Sequence, residues 1–143
     1  MLRDPVTGFE YPAEWVRACQ DPARLPQVER GLAVLTASGS ILRRGFTTGT
    51  TAAAAAKAAV LSLLGEAVTE VEVLLPCGIA VVLPVSGAEG RASCCKDAGD
   101  YPDDATAGVE IIAEARWAPG GIRITAREGI GRWTRDTPHA AQG

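Results

Sequence analysis

The run Thr47-Thr48-Gly49-Thr50-Thr51-Ala52-Ala53-Ala54-Ala55-Ala56-Lys57-Ala58-Ala59-Val60-Leu61-Ser62-Leu63-Leu64, followed by Gly65, constrains this chain more than any other feature. Alanine has the highest intrinsic helix propensity, threonine hydroxyls cap the first free backbone N–H groups, and glycine suits a left-handed residue past a helix end. The run therefore predicts a helix from the threonines to Leu64. Its alanine half carries little side-chain bulk, so that end can lie close to a sheet, another helix or a flat ligand, and the leucines supply core. Lys57 and Ser62 interrupt it, and it falls short of the roughly 20 apolar residues that span a bilayer.

Downstream the period changes from helical to two. Val71, Val73 and Leu75 alternate with Glu70 and Glu72, which predicts a half-buried strand over residues 68–75. Pro76-Cys77-Gly78 turns the chain into a second strand over 79–85, making a hairpin. Residues 86–90 read as a loop, 91–96 as a third strand, and 109–116 as a fourth. Pro119-Gly120-Gly121 then turns into Ile122-Arg123-Ile124-Thr125, with a glycine-bearing exit through Glu128-Gly129-Ile130-Gly131-Arg132-Trp133-Thr134. One long helix beside hairpin-connected strands predicts an α+β fold, a mostly antiparallel sheet with one face packed on the Ala-rich helix.

Residues 1–40 differ in character. Pro5, Pro12, Pro22 and Pro26 break any long element, leaving an N-terminal arm with short helical pieces such as residues 13–19, anchored on the domain by Trp15. Residues 27–36 fit a helix or a strand equally. Residues 41–143 form the α+β domain. The early Asp4 and Pro5, with no apolar stretch behind them, do not read as a signal peptide, and a cytoplasmic location is expected. A net charge of -3, from 14 basic and 17 acidic residues, excludes a broad electropositive face for nucleic acid or a membrane surface. With Cys94-Cys95 the only close cysteines and His139 the only histidine, no protein-bound metal is expected, and the thiols are expected to be reduced. At least one of Cys94 and Cys95 should be buried, since neighbours in a strand point to opposite faces.

Three stretches carry candidate chemistry. At the helix start, unpaired N–H donors and a partial positive charge favour an anion, and Gly49 leaves the approach clear. Arg43, Arg44 and Lys57 are near in sequence and add charge for a phosphate or carboxylate. The bland alternative is a capped helix. In Lys96-Asp97-Ala98-Gly99-Asp100-Tyr101-Pro102-Asp103-Asp104, four carboxylates in eight residues suit a hard cation, a carboxylate with raised pKa for acid or base work, or a solvated turn. The third stretch, Glu128-Gly129-Ile130-Gly131-Arg132, reads as a turn or bulge rather than a nucleotide loop.

Gly45-Phe46-Thr47-Thr48-Gly49-Thr50-Thr51 with its alanines, Leu75-Pro76-Cys77-Gly78, Lys96-Asp97-Ala98-Gly99-Asp100-Tyr101-Pro102-Asp103 and Gly129-Ile130-Gly131-Arg132-Trp133-Thr134 occur in that order. The chain thereby resembles the CbiD family, the cobalt-precorrin-5B C1-methyltransferases of anaerobic cobalamin biosynthesis. Its opening, Arg3-Asp4-Pro5-Val6-Thr7-Gly8-Phe9-Glu10-Tyr11-Pro12, is similar to that of members from methane-producing archaea. The resemblance implies transfer of a methyl group from S-adenosylmethionine to ring carbon C-1 of a cobalt-containing tetrapyrrole, cobalt-precorrin-5B. It implies that Arg44, Thr47, Thr48, Gly49, Thr50, Lys57 and Lys96 bind the substrate's carboxylate rim, and that Asp97 or Asp100 is the base.

This chain departs from the family in having Thr51 where cysteine is common. Thr106-Ala107-Gly108 stands where threonine–histidine–glycine is common. Full members continue into a second, α/β domain expected to hold the S-adenosylmethionine site. Two readings of function follow, the methyltransferase itself or a truncated or split corrinoid-binding module that needs a separate carboxy-terminal subunit. Exposed sheet edges predict a homo-oligomer or such a partner.

Overall fold

The computed structural model describes residues 1–131 and Thr134. Arg132, Trp133 and His139 lie outside the described residues. The described chain is α+β, with short helices α1 (Ala13–Arg17) and α2 (Leu25–Glu29), strands β1 (Ala33–Leu35) and β2 (Ile41–Arg43), the long helix α3 (Thr48–Leu64), and strands β3 (Val68–Leu74), β4 (Ala80–Ala88), β5 (Arg91–Cys95) and β6 (Glu110–Glu114). β3 to β6 form one antiparallel meander in sequence order, and β1 pairs with β2 in a separate hairpin. Among the described residues, no helix is long and apolar enough to cross a membrane.

α3 lies across one face of the meander and packs on all four of its strands. Ala54, Ala55, Ala58 and Ala59 are buried against Val71, Val81, Leu83, Ala92 and Cys94. The small side chains bring helix and sheet close together. A Cβ on Gly87 of β4 would meet the Ala58 carbonyl oxygen at 3.2 Å and the Ala58 Cβ at 3.4 Å. Ser62 ties the far end: its hydroxyl donates to the Ala59 carbonyl (2.9 Å) and accepts from the Gly90 amide (3.1 Å) in the turn between β4 and β5. Of the two adjacent cysteines, Cys94 is buried and Cys95 exposed.

Three expectations need correction. β4 does not stop at residue 85 but runs to Ala88, because Gly87 is the point of contact with α3 rather than a loop residue. Gly65 ends α3 in an extended conformation, φ -160°, not a left-handed one. The first forty residues are not a loose arm: Tyr11, Val28, Ala33, Leu35 and Ile41 form a second small core, and the β1–β2 hairpin runs across position 40. Trp15 belongs to that small core, its ring 5.8 Å from Phe9 and 6.4 Å from Tyr11. The ambiguous residues 27–36 are the end of α2 followed by β1. Residues 122–125 form no strand.

Candidate functional site

The site grows from the first turn of α3. Thr47 is the N-cap, its hydroxyl oxygen accepting from the Thr50 amide at 3.1 Å, and the Thr51 amide donates to the Thr47 carbonyl. Thr51 is fully buried, its hydroxyl donating to the same carbonyl at 2.8 Å. The amides of Thr48 and Gly49 have no protein acceptor among the described residues, and both residues are exposed. Open amides at a helix start carry partial positive charge and favour an anion.

The segment leading into α3 is locked to the acidic loop. The Phe46 amide donates to the Asp97 carbonyl (2.8 Å) and the Asp100 amide to the Arg43 carbonyl (3.0 Å). The Arg43 amide donates to Asp100 Oδ2 (2.7 Å), and its guanidinium donates twice to Asp97, at 2.6 and 2.9 Å. Two glycines make the approach possible. A Cβ on Gly45 would stand 2.3 Å from the Ala98 carbonyl carbon, and one on Gly99 2.3 Å from the Arg43 carbonyl oxygen.

Where the seam meets α3, a cleft of about 210 Å³ is lined by Arg44, Gly45, Phe46, Thr47, Lys96, Ala98, Tyr101 and Asp104. Its cations are already paired. Arg44 donates to both oxygens of the buried Asp4, at 3.2 and 2.9 Å, and the buried Lys96 pairs with Asp104. Burial pushes the Asp4 carboxyl up, but hydrogen bonds from Arg44, Thr7 and the Val6 amide together outweigh it and leave it below the usual range.

Two carboxylates of the acidic loop, Asp97 and Asp104, are tuned in the direction opposite to a raised pKa. Hydrogen bonds from Arg43 hold Asp97 below its ordinary value, with the Gly99 amide adding to the effect. Lys96, with the Thr106 hydroxyl and amide, pulls Asp104 down to about 2. A carboxylate held so firmly ionised is a weak proton acceptor. The other oxygen of the exposed Asp100 faces no donor among the described residues.

Arg44, Thr47 and Lys96 thus line the cleft, and Thr48, Gly49 and Thr50 form the helix turn that follows Thr47. Lys57 is elsewhere: its ammonium donates to the Glu72 carbonyl of β3 at 2.7 Å. Sequence reasoning passed over Phe46 and Tyr101 as lining residues and did not pair Arg43 with Asp97. Two glycines, each beside charges of opposite sign, were the available signal.

A sequence profile of the CbiD family matches residues 35–143. The chain belongs to this family. It is 61% identical over 145 residues to a cobalt-precorrin-5B C(1)-methyltransferase of Methanoculleus marisnigri, an alignment covering 99% of this chain and 42% of that protein. The counterpart in Methanoregula boonei is 58% identical over 137 residues, 96% of this chain and 41% of its own length. The crystal structure of a cobalamin biosynthesis protein, cbiD, from Archaeoglobus fulgidus superposes with a TM-score of 0.64 at 42% identity, covering 80% of this chain and 39% of that one. The CbiD chain described here therefore spans about two-fifths of the length of the curated relatives it matches.

Proposed function

We propose that this chain is the substrate-holding part of a cobalt-precorrin-5B C1-methyltransferase of anaerobic cobalamin biosynthesis. The observation that carries the reading is the cleft at the start of α3. There Arg44 and Lys96 border an apolar floor of Phe46 and Ala98, and the open amides of Thr48 and Gly49 follow in the helix turn after Thr47, which lines the cleft. The relatives' name specifies a tetrapyrrole, a flat ring with a rim of carboxylates. At about 210 Å³ the cleft lies below the roughly 300–1,000 Å³ of enclosed small-molecule sites, so it takes an edge of the macrocycle. A rim carboxylate sits on the first turn of α3, held by Thr47, Thr48, Gly49 and Thr50 through the partial positive charge of the helix start, with the paired Arg44 and Lys96 beside it. The ring face rests on Phe46 and Ala98.

Methylation of a ring carbon leaves a proton to be removed. Asp100, with one carboxylate oxygen free, is the better placed of the two aspartates to accept it, whereas Asp97 is committed to Arg43. Lys57, held on β3, is left out of the substrate contacts.

The methyl donor of such an enzyme is S-adenosylmethionine, a sulfonium cation with an adenosine group. The residues of this cleft do not fit it: its carboxylate Asp104 is taken by Lys96 and so is not free for the sulfonium, and about 210 Å³ is small for the nucleoside as well. The second cavity, about 410 Å³, is lined by Pro5, Glu29, Arg30, Leu32, Ile79 and Ala80 and offers no aromatic surface for adenine. The donor is held by the part of the relatives' length that this chain does not span, in the same polypeptide or a separate subunit.

Mixing the purified chain with cobalt-precorrin-5B tests the proposal. A saturable change in the corrinoid absorption spectrum, with no methylated product by mass spectrometry when S-adenosylmethionine is added, is the expected result. An unchanged spectrum at a several-fold excess of protein refutes substrate binding, and methylated product refutes the assignment of the donor site elsewhere.

A further inference from the structure

We infer that Arg43 and Asp97 are a positioning pair, which holds the acidic loop against the start of α3 so that Asp100 and the first helical turn face one ligand. The inference rests on the proposed substrate site. Arg43 meets Asp97 at two points, 2.6 and 2.9 Å, a fork geometry that fixes direction as well as distance. Both side chains are nearly half exposed, 47% and 42%, and exposed ion pairs contribute little to stability. The contact's consequence is therefore placement. Arg43 also exchanges two bonds with Asp100, through its amide at 2.7 Å and its carbonyl at 3.0 Å. Asp97 holds the Phe46 amide with its carbonyl and caps its own loop through the Gly99 amide, at 2.8 Å each. One pair thus sets two things at once, the position of Asp100 and the residue that precedes the Thr47 cap. Neither side chain needs to touch the ligand.

Three variants, Arg43→Lys, Arg43→Gln and Asp97→Asn, test this by two readouts in the full chain. Hydrogen exchange needs no ligand: the Phe46 and Asp100 amides are expected to exchange at least tenfold faster in Asp97→Asn, with the amides of β4 and β5 unchanged. Titration with cobalt-precorrin-5B is expected to show about tenfold weaker binding in all three, with melting temperatures within a few degrees of wild type. Arg43→Lys keeps the charge and loses the fork, so wild-type affinity in that variant means that charge alone acts and overturns the positioning role. Unchanged exchange at Phe46 and Asp100 overturns it as well. If exchange quickens as expected but the wild-type chain itself does not bind the corrinoid, the substrate reading fails and the pair's control of the seam stands.

Discussion

Replacing Gly45 with alanine tests the close approach on which the site depends. The new Cβ would lie 2.3 Å from the Ala98 carbonyl carbon, 2.5 Å from the Asp97 oxygen and 2.6 Å from the Gly99 nitrogen. All three are backbone atoms, so no side-chain rotation relieves the clash. Ordinary contact begins near 3.4 Å, so the seam has to open by about 1 Å. That stretches the bonds from Phe46 to Asp97 and from Asp100 to Arg43, now 2.8 and 3.0 Å, and the Arg43 amide bond to Asp100, now 2.7 Å, beyond useful range. At about 1 kcal/mol net for each, the loss is about 3 kcal/mol, or a fall in Tm of about 10 °C for a domain of this size. Gly49→Ala is the control from the same motif. A Cβ there meets nothing closer than the Thr47 hydroxyl oxygen at 3.7 Å, and alanine within a helix gains about 0.5–1 kcal/mol over glycine. Thermal unfolding followed by circular dichroism should move the two variants in opposite directions. A Gly45→Ala protein melting within 2 °C of wild type refutes the clash argument.

Further outcomes follow from single contacts. Thr47→Ala removes the cap of α3 and should cost about 1 kcal/mol by urea unfolding, with Thr47→Ser restoring most of it. Asp104 is held at about 2 by Lys96 and Thr106, below its unfolded value of 3.8, so its stabilisation is complete above about pH 4 and is lost as pH falls through 2. Acid titration of Asp104→Asn should lack that component; an identical acid profile contradicts the pairing. Arg44→Ala leaves Asp4, 2% exposed, without its cation and should cost about 3 kcal/mol. Arg44→Ala with Asp4→Asn should cost less than Arg44→Ala alone, and simple additivity in a double-mutant cycle rules out the coupling.

The helix and the meander were legible because their signals are local. Alanine propensity with a threonine cap identifies α3, and the alternation of Val71, Val73 and Leu75 with Glu70 and Glu72 identifies β3 and its buried face. Glycine was the least readable residue. At Gly87 it marks where α3 touches the sheet, not the end of a strand, and at Gly45 and Gly99 it marks backbone contact between segments more than fifty positions apart. Local pattern does not tell those uses from a turn. The small core built on Val28 and Tyr11 escaped notice for a related reason: the prolines that interrupt its elements do not prevent short pieces from packing on one another.

The charges of the site show why composition was a poor guide to its ligand. Arg43, Arg44 and Lys96 come together in the fold, yet each has its own aspartate, in Asp97, Asp4 and Asp104. The cluster is close to neutral as a whole, in keeping with a chain of net charge -3. An anion arriving there finds its free donors chiefly in the amides of Thr48 and Gly49, which carry no formal charge and do not titrate. Recognition by fixed backbone donors favours a carboxylate presented at one angle over an anion in general. It also makes the setting of the helix start decisive, because an amide cannot reach for a misplaced ligand as a lysine can. That is the physical reason for so many contacts at the junction of residues 43–46 with 97–100.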